Sequence, residues 1–174
     1  MANFILELLS EEIPSRMQKQ ASIFLVKQFE EKINFCGVQY EDLKVFFSSR
    51  RLSIIIYNIA VQSNEVNSVI LGPRVDSPEK AISGFLKSNN IRSLDMCNVI
   101  PDKKGDRYQF ISKIPPKLTN EILSEIVIEI VSKFSWPKSM RWGDGNLKWV
   151  RPLRNILAIM IDGIKIDTLD IKIG

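Results

Sequence analysis

Asn3-Phe-Ile-Leu-Glu-Leu-Leu9, running through Ser10-Glu-Glu-Ile-Pro14 into Ser15-Arg-Met-Gln-Lys-Gln-Ala21, is the stretch that decides the fold. The apolar run at 3–9 is strand-sized and reads as a buried strand. Pro14 suits a first helical turn, and Ser15 with Gln18 has capping-box spacing. Beyond it Ile13, Met17, Ala21, Phe24, Leu25, Phe29, Ile33 and Cys36 keep a helical apolar stripe, which Gly37 should stop. Residues 43–48 and 52–61, rich in Val, Phe and Ile, read as two strands joined through Ser48-Ser-Arg-Arg51. Residues 1–64 are therefore expected to form a β-α-β-β lobe.

Outward from that lobe the signals alternate. Residues 62–76 are polar and marked by Gly72-Pro73, and read as a connection. Ser77-Pro-Glu79 is a helix start, with Ala81, Ile82, Phe85 and Leu86 as its apolar face and Ser88-Asn-Asn90 as its end. Strands are expected over 97–101 and 107–114. A second long helix is expected over 118–134, with Leu118, Ile122, Ile126, Ile130 and Phe134 on one side. Residues 135–153 have no period and contain Pro137, Gly143, Gly145 and Pro152, as a long ordered loop would. Strands at 154–161 and 164–172 flank Asp162-Gly163, a type I′ hairpin signal. The expected class is α+β, with residues 65–174 as a second, mixed α/β lobe carrying the loop and a C-terminal β-hairpin. Ending on a strand with no closing element is a pattern expected of a piece of a longer protein.

At 174 residues, 45% hydrophobic and 25% charged, the composition is that of a globular protein with a sizeable core. No apolar run approaches the ~20 residues that span a bilayer. The start of the chain lacks a basic leader, and Cys36 and Cys97 are isolated, so a reduced, cytoplasmic location without a membrane is expected. The net charge of +4 is unevenly spread. Residues 1–60 carry seven basic and seven acidic side chains and residues 61–100 four of each. Residues 101–160 carry eleven against six. Within 133–154, Lys133, Lys138, Arg141, Lys148, Arg151 and Arg154 face only Asp144. A local field of one sign speaks to partners rather than to fold.

Much catalytic chemistry is missing. With no histidine, the Ser-His-Asp and Cys-His sites and the commonest metal ligand are excluded. There is no Walker A loop and no GxGxxG, and Gly143-Asp-Gly145 lacks the strand-to-helix context of a phosphate cradle. Glu7, Glu11 and Glu12 form the one tight acidic group. As a set they suit a Mg²⁺ or acid–base site, or, more simply, Glu11 and Glu12 favour the positive end of the first helix. Cys36, on the apolar stripe, reads as a small core hydrophobe. No catalytic residue and no metal ligand is assigned.

The chemistry that is present lies between Lys133 and Arg154, which hold all three tryptophans, Trp136, Trp142 and Trp149. Arginine grips phosphate and stacks on bases, and an exposed Trp offers a stacking platform. The same tryptophans equally suit buried anchors of a long loop. Lys138, Arg141, Arg151 and Arg154 are the candidate nucleic-acid contacts. Arg50-Arg51 is a second basic feature, where neighbouring side chains point to opposite faces. Arg50 joins the candidates, and the other braces the fold.

Five strings in register resemble the β subunit of the bacterial two-subunit glycyl-tRNA synthetase. They are Glu7-Leu-Leu-Ser-Glu-Glu-Ile-Pro14, Arg50-Arg-Leu52, Gly72-Pro73 with the helix holding Ala81 and Gly84-Phe85, Pro137-Lys-Ser-Met-Arg-Trp-Gly143, and Trp149-Val-Arg-Pro152. Two departures stand out: Leu9-Ser10 replaces the family's usual Gly-Thr, and only Arg74–Lys80 separates Gly-Pro from the following helix. The resemblance implies an N-terminal piece of a subunit that recognises tRNA(Gly). It implies an α subunit as partner, carrying the class II active site with ATP, Mg²⁺ and glycine, and no cofactor in this piece. It also implies contact with the remainder of the β subunit. Two roles follow: helping to bind tRNA, or docking the α subunit or the rest of β without touching RNA.

Overall fold

A computed structural model describes residues 1–102 and 105–173, apart from the side chains of Ser68 and Ile114. The chain is α+β and divides into two compact units, Met1–Asn64 together with the chain from Pro116 onward, and Glu65–Pro115. The first unit takes in the chain from Pro116 onward together with residues 1–64, where the sequence reading groups residues 65–174 as one lobe. The reason is strand pairing far apart in the chain: the penultimate strand returns to pair with the first.

In the first unit, β1 (Ala2–Ser10), β2 (Asp42–Phe47), β3 (Arg51–Ile59), β7 (Leu153–Asp162) and β8 (Lys165–Thr168) form an antiparallel sheet in the order β2-β3-β1-β7-β8. Burial along β1 alternates from end to end, because successive side chains face opposite sides of a pleated strand. Phe4, Leu6 and Leu8 therefore lie on one face with Leu52, Ile54, Ile56, Ala158 and Met160. That core takes in Met17, Leu25, Phe29 and Ile33 of helix α1 (Ser15–Phe35). Ile122, Leu123, Ile126, Val127 and Ile130 of helix α3 (Thr119–Ser132) complete it. Burying a side chain of this size contributes about 1.5–3 kcal/mol.

Helix α1 starts differently from the capping-box expectation. Pro14 is the N-cap and no side chain caps it, while the Gln18 amide donates to the Ile13 carbonyl at 2.8 Å. Gly37 ends the helix as read, at φ +69°, and the Val38 N–H reaches back to the Ile33 carbonyl. Leu118 precedes α3 and is 52% exposed, so it does not join the helix's apolar face. The start of α3 is fixed by Thr119, whose hydroxyl donates to the Ala60 carbonyl at the end of β3. The final hairpin also differs. Asp162 pairs with Lys165, so the turn is Gly163-Ile164, and only Gly163 has positive φ. A type I′ turn needs positive φ at both central residues.

In the second unit, β4 (Val66–Arg74), β5 (Cys97–Ile100) and β6 (Arg107–Ile114) form an antiparallel sheet in the order β4-β6-β5, with helix α2 (Glu79–Ser88). Residues 66–74, read as connection, are thus a strand. Its pairing with β6 shifts register between Leu71 and Arg74, where Pro73 has no N–H to offer. Gly72 permits a close approach: a Cβ there would lie 2.9 Å from the Phe85 ring of α2. The helix and the two later strands of this unit lie where the sequence places them, and Asn90 at φ +52° lies just beyond α2.

Candidate nucleic-acid interface

Between α3 and β7 the described chain has no helix or strand, and aromatic packing holds it in place. Phe134 and Trp149 are buried, the latter completely. Trp136 stacks on Phe134 at 4.6 Å between ring centres and meets Trp149 edge-on at 5.0 Å, and Phe24 of α1 leans on Phe134 at 4.7 Å. The indole N–H groups of Trp136 and Trp149 are buried without a protein acceptor. A two-way backbone bridge closes the neck of the loop: the Met140 and Trp149 N–H groups donate to each other's carbonyls at 2.8 and 3.1 Å. Trp142 is half-buried and shares an open groove of about 480 Å³ with Leu147, Leu153, Ile156, Ile171 and Ile173. The tryptophans are therefore anchors of the loop, and Trp149 offers no face for stacking.

Lys133, at the end of α3, pairs with Glu129 at 3.0 Å, and the other cations divide into two groups. Lys138, Arg141, Lys148 and Arg151 are exposed. Among the described residues they form no ion pair, and Arg151 only donates to the Val150 carbonyl. Arg141 and Lys148 directly follow and precede the bridging residues Met140 and Trp149, so two like charges flank the neck. Arg50 and Arg154 are brought together elsewhere, at the end of the sheet where β1 finishes and β3 and β7 begin. Both hold the Glu11 carboxylate, Arg154 Nε at 2.6 Å and Arg50 Nη2 at 3.3 Å. Arg50 also donates to the Ser10 carbonyl. Arg51 Nε lies 3.2 Å from Glu7, the diagonal neighbour on β1. Both members of the Arg50-Arg51 pair therefore brace carboxylates.

This settles the placement of the acidic group. Glu7 and Glu11 pair with arginines, and neither Glu11 nor Glu12 lies in the first turn of α1, which begins at Ser15. The hydrogen bond from Arg154 holds the Glu11 carboxyl below its ordinary value, aided by the Arg154 and Arg50 charges and opposed by desolvation. Among the described residues no three His, Cys, Asp or Glu side chains come together as a metal site. Cys36 packs half-buried at the core, and desolvation with the nearby Glu125 charge pushes its thiol upward. Sequence reading missed Arg16 and Gln20 of α1, which line a depression with Lys138. Nothing in one helix turn announces a loop cation folded next to it.

The chain matches a family described as glycyl-tRNA synthetase beta subunit over residues 4–173. It is 36% identical over 174 residues to the glycine–tRNA ligase beta subunit of Paracoccus denitrificans, covering 99% of this chain and 25% of that protein. The proteins of the same name from Rickettsia felis and Rickettsia canadensis are 41% and 42% identical over 164 residues, or 91% of this chain and 24% of theirs. The chain thus spans about a quarter of the length of the curated relatives it matches. With a match that runs across both units, the chain belongs to the glycyl-tRNA synthetase β subunit family.

Proposed function

We propose that this chain is the N-terminal, non-catalytic part of the tRNA-recognising β subunit of a cytoplasmic glycine–tRNA ligase. In this reading ATP, Mg²⁺ and glycine are handled by an α subunit, and the β piece contributes to holding tRNA(Gly). The observation that carries it is a loop pinned by a fully buried Trp149, from which Lys138, Arg141, Lys148 and Arg151 project without carboxylate partners. A fixed backbone with unpaired cations suits phosphate contacts, which position a nucleic acid without reading its sequence. Arg50 and Arg154 instead hold the end of the sheet through Glu11.

The test is a salt titration of binding between the 174-residue chain and tRNA(Gly). Affinity should fall linearly in log–log form as salt rises, and Arg141→Ala should weaken it further. A flat salt profile would remove the direct contact. A second reading is docking of the α subunit or the rest of β, favoured by the open groove where Trp142, Leu147, Ile156 and Ile171 stand beside Asp144 and Arg154. It expects Trp142→Ala to weaken assembly with the α subunit while Arg151→Ala leaves tRNA affinity unchanged.

A further inference from the structure

A depression of about 460 Å³ opens on the first unit, lined by Arg16, Met17 and Gln20 of α1 and by Pro137 and Lys138 of the loop. Its size is that of small-ligand sites. Its lining holds two cations, one amide and no carboxylate. Among the described residues neither Arg16 nor Lys138 has an ion-pair partner.

Arg16, Gln20 and Lys138 are exposed, and it is the backbone on either side of the depression that is fixed. Arg16 and Gln20 stand one turn apart on α1 and so share a face. Between them Met17 is buried in the core and fixes the rotation of that turn. On the other side Trp136, stacked on Phe134, sets where Pro137 and Lys138 emerge. Two like charges held around one concavity repel, and they favour an anion between them.

We infer that this depression binds a phosphodiester of the RNA backbone, with Arg16 and Lys138 gripping the phosphate and the Gln20 amide donating to a phosphate or ribose oxygen. The inference rests on the tRNA-binding reading and names a site for it. No aromatic ring lines the depression, so it takes a backbone segment and not a stacked base. It therefore adds affinity without discrimination between tRNAs.

The experiment is fluorescence anisotropy of the 174-residue chain with tRNA(Gly) and with an unrelated tRNA, across a salt series. Arg16→Ala and Lys138→Ala should each weaken binding several-fold and reduce the slope of log affinity against log salt by about 1. The loss should be equal for the two tRNAs, and the double variant should lose less than the sum. Gln20→Ala should weaken binding with the slope unchanged. Lys27→Ala, an exposed lysine of the same helix paired with Glu31, is the reference that should change neither. If Arg141→Ala weakens binding while Arg16→Ala moves neither affinity nor slope, the depression is not a phosphate site and the broader reading survives. If the unaltered chain binds neither tRNA at low salt, both fall, and an acidic protein surface becomes the ligand of these cations.

Discussion

The end of the sheet around Glu11 and the loop around Trp149 carry the same kind of side chain in opposite circumstances. At the sheet end Arg50, Arg51 and Arg154 each face a carboxylate, and Glu11 joins strands that begin and end there. On the loop the fixed elements are aromatic, and among the described residues Lys138, Arg141, Lys148 and Arg151 have no carboxylate partner, Lys133 alone pairing back to Glu129 of α3. In the first region charge closes a structure. In the second, hydrophobic burial closes it and leaves the charge free for a partner. A basic residue is thus informative about function only after its carboxylates have been located.

The comparison can be broken most severely at its anchor. Trp149→Ala removes a fully buried side chain and should destabilise the first unit by about 3–5 kcal/mol, read from urea unfolding. The RNA contacts proposed for the loop should be lost with it, since their cations would no longer share a fixed frame. A chain that kept its stability would show that the loop is held by something other than its aromatics.

A smaller effect separates the two groups of cations. Arg141→Ala and Arg151→Ala should each reduce the salt slope of tRNA binding by about 1. Arg154→Ala, which removes the closer of Glu11's two arginines, should leave the slope alone and lower the melting temperature slightly. Equal slopes for all three variants would erase the distinction between bracing and contacting arginines.

The smallest effect concerns Glu11. Its carboxyl is held below the ordinary value in the folded chain, so its stabilisation is present above the unfolded value and is lost as pH falls through the folded one. Glu11→Gln should therefore melt slightly earlier than the unaltered chain at neutral pH, and the two curves should converge in acid. Curves that stay parallel across that range would mean that Arg50 and Arg154 do not hold a charged Glu11.

Legibility followed the range of the interaction. The stripe from Met17 to Ile33 and the stop at Gly37 were plain, because both are written within a few residues of where they act. The strand at 66–74 was not, because Gly72 and Pro73 argue locally for a turn and only pairing with β6 overrides them. The basic stretch was visible as composition, and Lys138, Arg141 and Arg151 do stand exposed there. That Arg50 and Arg154 meet at one carboxylate was hidden, since residues so far apart in sequence give no joint signal.

By itself the sequence determined the α+β class, the elements whose periodicity is strong, the lack of histidine chemistry and the family strings in register. Those rest on residue identity and short-range spacing, which survive without coordinates. Only the tertiary structure decided that β7 returns to β1, so that one unit is built from both ends of the described chain. It also decided which cations have partners, because charge pairing depends on distances of a few ångströms that long-range strand pairing alone sets.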